Sequence, residues 1–240
     1  MLLLNSLSLS SNFNGDWWGQ DRWGNSVRAL RGANELAEKA LADAVARISP
    51  DVLTYDDEAQ YYLVDEPASV LRGGMLTAVY GSFEFSLLLL CDEAAALITK
   101  TGYDRAQERA RGAAKCRIEF LGSLVGRDFY TPAEDFRPIQ LLRNIVTHSD
   151  GLLPNPEDRP KDAEAITKWL KRNPTLVSAS GVAIRLNSGF ISYTADYLDS
   201  LFGSISEALR ATPEAEEAAK AHKAWFSRFI SEPDFPDESH

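Results

Sequence analysis

Cysteine, histidine and methionine are scarce in this chain: of 240 residues, two are Cys, three are His and two are Met. Cys91 and Cys116 both fall in apolar, helix-forming stretches, which points to buried thiols in a reducing cytoplasm and not to a disulfide framework. His148, His222 and His240, with two distant cysteines, offer no zinc-ligand spacing. There is no Gly-rich phosphate loop followed by Lys-Ser/Thr, no G-x-G-x-x-G and no G-x-S-x-G, so the sequence calls for no cofactor. Long uncharged apolar runs are missing as well. The richest, Phe83 to Leu97, is interrupted by Glu84, Asp92 and Glu93, short of the roughly 18 to 20 residues a bilayer span needs, so neither a transmembrane helix nor a membrane partner is expected. The leading MLLLNSLSLSSNF lacks a basic n-region and reads as mature protein. With 15 Gly, 11 Pro and 25% charged residues, collagen-like and wholly disordered classes are excluded.

What is present is an acidic globular chain, net charge −10, whose charge is unevenly spread. Asp51, Asp56, Asp57, Glu58, Asp65 and Glu66 form an acidic block, and Glu232, Asp234, Asp237 and Glu238 form another. Asp56-Asp57-Glu58 has the chemistry to hold Mg²⁺, but consecutive acids in a polar segment read as a solvated loop. From Lys100 to Arg127, seven cations face three carboxylates. The plain reading of that run is a solvated helix face.

Apolar periodicity gives a mostly α chain. Ser11 to Asn25, with Trp17, Trp18 and Trp23, reads as an irregular segment pinned by aromatic anchors. A first helix is expected from Ser26 to the stop at Ser49-Pro50, and Asp51 to Pro67 as a loop or short helix. After Arg72-Gly73-Gly74, the residues Leu76, Tyr80, Phe83, Leu87, Leu90, Ala94 and Leu97 recur in steps of four and three, predicting a long helix from about Gly74 to Lys100. A second is expected from Tyr103 to Leu124. A third begins near Pro138 and runs to His148, stopped by Ser149-Asp150-Gly151 and Pro154. A short helix over Lys161 to Lys171, a hairpin about Ser180-Gly181, a last core helix through Tyr193 to Leu209 and an Ala/Glu-rich helix beyond Pro213 complete the chain. The domain reading is an extension over 1–73, a helical domain over 74–210, and a terminal helix with acidic tail over 211–240.

The stretch that draws attention chemically is Leu141 to Gly151. Leu142, Ile145, Val146 and Ser149 lie near one side of the helix; Arg143, Asn144, Thr147 and His148 gather nearer the other. Asn144 and His148, four apart, are neighbours on the helix surface. Arg143 and His148, five apart, diverge by about 140°. They converge only if Arg143 bends round, or if two copies meet so that the histidine of each faces the arginine of the other. His148 lies in the last turn, where the helix dipole favours a protonated imidazole.

Arg143-Asn144 followed by His148, on an apolar-striped helix with a trailing Gly, resembles the signature of the HEPN domains, all-helical modules many of which are metal-independent ribonucleases. The stretch Val79 to Glu84 is similar to the long helix of that family, which carries aromatic residues and then a Glu; Glu84 is the match. The likeness covers roughly Gly74 to Arg210 and implies a HEPN-like up-and-down helical bundle with a small β-hairpin excursion. It further implies cleavage in which the RNA 2′-hydroxyl attacks its own phosphate. His148 would transfer a proton, Arg143 would clamp the phosphate with its planar fork, Asn144 would orient either, and Glu84 would fix Arg143 or bias the protonation of His148. Each has a plainer reading: an Arg143–Glu84 structural ion pair, a His148 helix cap, an Asn144 bridge between helices. The expectation is an RNA endonuclease of defence or toxin-antitoxin type, a cytoplasmic homodimer with RNA as substrate and an antitoxin or activator as possible protein partner. The alternatives are a non-catalytic HEPN-like module that binds a nucleotide or a protein, and a helical scaffold.

Overall fold

Apolar residues at helical spacing can be buried only by packing helix on helix, and the computed structural model is mostly α with one small antiparallel hairpin. It describes residues 18–48, 60–149, 151–180 and 183–231. In chain order these form α1 (Trp18–Val45), α2 (Glu66–Ala94), α3 (Glu108–Arg111), α4 (Ala113–Leu124), α5 (Phe136–His148), α6 (Pro160–Arg172), β1 (Val177–Ser180), β2 (Ala183–Leu186), α7 (Phe190–Arg210) and α8 (Pro213–Ser231). π-Helical turns, Tyr61–Asp65 and Ala95–Thr99, continue α2 at either end.

The described residues fall into two compact units. One draws on 18–22, 86–129 and 202–231; the other on 23–85 and 130–201. In the second, Trp23 is buried, sets its ring edge-on to Phe83 at 5.5 Å and donates from Nε1 to Asp199 at 2.8 Å. Of the aromatic anchors expected there, Trp23 is buried as an anchor should be. The irregular segment expected around it is instead helical from Trp18, eight residues before Ser26; Trp17 and everything before it lie outside the described residues. Gly19, Gly24 and Asn25 lower helix propensity. Gly19 is nonetheless required, because a Cβ there would stand 2.7 Å from the Ser86 carbonyl oxygen.

The seam Leu76, Tyr80, Phe83, Leu87, Leu90, Ala94 and Leu97 is buried throughout. The helix bearing it does not start at Gly74. It is helical from Gln60, with Gly73 and Gly74 in its interior. The expected acidic loop loses its last residues to that helix, and Asp51, Asp56, Asp57 and Glu58 lie outside the described residues. By length and composition Tyr61–Thr99 would suffice to cross a bilayer, and 44% of its most apolar window is buried within the fold. Lys100, at φ 58°, ends it where the sequence placed the stop.

The helix expected over Tyr103 to Leu124 is broken. Gly112, at φ 89°, separates α3 from α4, a conformation open to glycine and costly to any residue with a Cβ. Three cations of the basic run form ion pairs. Arg117 is buried and forks onto Glu108 at 2.7 and 2.9 Å, Arg105 meets Asp92 at 2.9 Å, and Lys115 meets Glu119 at 3.7 Å. Cys91 and Cys116 are free and buried in this unit, as expected.

The hairpin pairs Val177 with Leu186 and Ser180 with Ala183; Ser180, expected in the turn, is the last residue of β1, and Gly181 lies outside the described residues. β2 continues into a bridge between Ala183 and Leu152, and the Ile184 N–H donates to the Gly151 carbonyl at 2.8 Å. The chain leaving α5 is thereby tied to the hairpin.

Candidate functional site

The helix α5 buries Phe136, Ile139, Leu142 and Ile145, so its other face is left to present polar groups. Pro138 sits in its first turn, where a missing N–H is tolerated. Its N-terminal end is anchored by Asp135. That carboxylate accepts from Trp169 Nε1 at 2.9 Å, from Arg172 at 3.2 Å and from the Tyr193 hydroxyl. Burial, then the Asp135 carboxylate it donates to, pushes the Tyr193 phenol well above its ordinary range; Tyr197, beside it, is pushed up to about 12, first by burial. At the C-terminal end the Ser149 and Gly151 N–H groups both cap the Ile145 carbonyl, with Gly151 at φ 79°. This is the glycine stop read from the sequence.

Near its C-terminal end α5 packs against α2. A Cβ on Gly73 would stand 2.7 Å from Val146 Cγ1, so the two helices approach as closely as glycine permits. The Thr77 hydroxyl donates to the Gly73 carbonyl at 3.0 Å, leaving it to accept from Thr147 at 3.2 Å.

Arg143 is half-buried. Its guanidinium lies 5.5 Å over the Tyr80 ring, and Nη1 donates to Asn144 Oδ1 at 2.9 Å; Nε is buried without a hydrogen-bond partner. Among the described residues Arg143 makes no ion pair within 4.0 Å, so the structural Arg143–Glu84 bridge weighed from sequence is not formed. Glu84 acts nearby. With burial as the larger cause, its carboxylate pushes the Tyr80 phenol far above its ordinary range, while Arg143 pulls the other way. Tyr80, buried beneath the arginine, is the residue that sequence reading placed in the core without seeing that its ring face is also the seat of the cation.

Because Arg143 occupies Oδ1 of Asn144, the two Nδ2 hydrogens are what that amide offers outward. Asn144 and His148 together line a cleft of about 630 Å³, between the end of α5 and the start of α6, which also takes in Leu152, Asn155, Asp158 and Arg159. His148 is exposed on its last turn, with Thr147 and Ser149. Arg143 is not among the residues lining this cleft. The divergence of Arg143 and His148 expected from helix geometry is therefore observed, and Asn144 stands between them, touching the arginine on one side and the cleft on the other. Among the described residues no three His, Cys, Asp or Glu side chains gather as a metal-ligand group. Comparison with protein-family models, with curated proteins and with solved structures returns no match.

Proposed function

We propose that this chain is a metal-independent RNA endonuclease of the HEPN type, acting as a homodimer, with His148 as its proton-transfer group and Arg143 and Asn144 as its phosphate-directed donors. One observation carries the reading. Arg143 is half-buried and makes no ion pair among the described residues, and a desolvated cation without a carboxylate is destabilising unless an anion binds it. A phosphodiester supplies that anion. In the reaction the 2′-oxygen bonds to phosphorus as the bond to the 5′-oxygen breaks; the 2′-hydroxyl gives up its proton to a water molecule, the leaving 5′-oxygen takes one from protonated His148, and the imidazole regains a proton from solvent. The products are a 2′,3′-cyclic phosphate and a 5′-hydroxyl. Two donors act on the developing phosphorane charge, the remaining guanidinium hydrogens of Arg143 and the Nδ2 of Asn144. Glu84 serves as a positioning residue through the Tyr80–Arg143 stack.

The exposed last turn, Thr147, His148 and Ser149, suits the approach of a second copy, which would bring the arginine of one chain near the histidine of the other. A second reading, a non-catalytic nucleotide- or protein-binding module, is favoured by one fact: Arg143 does not line the cleft that His148 lines. Incubating purified chain with RNA in excess EDTA separates the two. Cleavage that disappears in His148→Ala supports the nuclease; RNA binding with no turnover supports the module.

A further inference from the structure

The cleft holding Asn144 and His148 has a second charged wall. Arg159 is the residue just before α6, with its N–H bonded to the Asn155 carbonyl at 3.0 Å and its own carbonyl accepting from Ala163 at 3.0 Å. The root of the side chain is thus fixed at the cleft it lines. Arg159 makes no ion pair within 4.0 Å among the described residues. The neighbouring carboxylate Asp162 is already paired with Arg137 at 2.7 Å, so among the described acidic residues lining the cleft Asp158 is the one left to oppose the charge of Arg159. Leu152 lies on the same cleft 49% exposed, an apolar surface of the kind a base or sugar covers. A volume of about 630 Å³ falls within the usual range for small-ligand sites, roughly 300 to 1,000 Å³.

We propose that this cleft holds the nucleotide next to the bond being cut, with Arg159 contacting its phosphate, Asn144 donating to the same chain of phosphates and Leu152 packing against the base or sugar. The inference rests on reading His148 and Asn144 as substrate-facing, and does not depend on whether the bond is broken. It gives the site a cation inside the cleft, which Arg143 does not supply there.

The test is binding of a short, fluorescently labelled 2′-O-methyl RNA, which keeps bases and phosphates but lacks the attacking hydroxyl, measured by anisotropy over a series of salt concentrations. Arg159→Gln should weaken binding about tenfold at low salt, the worth of one charge-assisted contact, and flatten the slope of log affinity against log salt by roughly 0.7. Asp158→Asn should tighten binding about threefold by removing the opposing charge. Arg109→Gln, at an exposed position outside the cleft, should bind like the parent. Equal affinity for Arg159→Gln and parent, weaker binding by Asp158→Asn, or a parent that does not bind at all would each overturn the proposal. A parent that binds in this Arg159-dependent way yet leaves unmodified RNA uncut would remove the nuclease reading and leave this one standing.

Discussion

Replacing Gly73 by Ala tests the packing that holds α5 in place. In an unconstrained helix interior this substitution stabilises by up to about 1 kcal/mol, because alanine loses less backbone freedom on folding. Here the new methyl would lie 2.7 Å from Val146 Cγ1, well inside the carbon–carbon optimum of about 3.5 to 4.0 Å. Val146 is β-branched and on a helix, where one χ1 rotamer dominates, so its methyl has nowhere to turn. Relieving the overlap means shifting α5 or straining a rotamer, at about 1 to 3 kcal/mol. The net expectation is a loss of about 1 kcal/mol against a propensity that predicts a gain. Val146→Ala, half-buried, should alone cost about 1 kcal/mol. The double variant should be more stable than the sum of the two by about 1.5 kcal/mol, since each change makes room for the other. Urea midpoints at unchanged m-value give all four terms of the cycle. A Gly73→Ala variant more stable than the parent, with no coupling to Val146, would refute the close approach of α2 and α5.

Three further outcomes follow from the same residues. Glu108 is held below the ordinary carboxylate range by its hydrogen bonds to Arg117, so its contribution is complete above the unfolded value, near 4.5, and is lost as pH falls through the lower native value. Acid titration of stability should therefore show a loss below about pH 4.5 in the parent that Glu108→Gln lacks, and the variant, which takes from buried Arg117 the carboxylate it forks onto, should be destabilised at neutral pH by about 3 kcal/mol. Arg143→Lys should lower RNA cleavage about a hundredfold despite keeping the charge, because an ammonium cannot lie flat on the Tyr80 ring, bond Asn144 and reach a phosphate together; near-parental rates would remove Arg143 from the mechanism. Sedimentation at micromolar concentration should show about twice the monomer mass, and an active monomer would discard the paired-site arrangement.

Which parts were legible in the sequence follows from which forces are local. The α2 seam, the stop at Lys100, the Gly151 cap of α5 and the hairpin were readable because periodicity, glycine and turn chemistry act within a few residues. The largest boundary errors sit at glycine. Gly19, Gly24, Gly73 and Gly74 resemble breakers, yet lie inside helices; Gly19 is pressed against the Ser86 carbonyl and Gly73 against the Val146 side chain, a tertiary reason invisible along the chain. Gly112 is the reverse case, a real break inside a periodic run. The same division holds at the site. Helix spacing alone separated Arg143 from His148 and made Asn144 the neighbour of both. The Tyr80 seat beneath Arg143 and the Asp135 anchor gathering Trp169 and Tyr193 depend on residues tens of positions apart, the cleft that Arg159 shares with His148 on residues eleven apart in different elements, and no local signal marks them.

The most direct test of the proposed chemistry uses a DNA oligonucleotide carrying a single ribonucleotide, incubated with purified chain in excess EDTA. The account predicts one cut, immediately 3′ of the ribonucleotide, leaving a 2′,3′-cyclic phosphate and a 5′-hydroxyl, and no cut in His148→Ala. Cutting of all-DNA strands, products ending in a 5′-phosphate, a requirement for Mg²⁺, or undiminished cleavage by His148→Ala would contradict it.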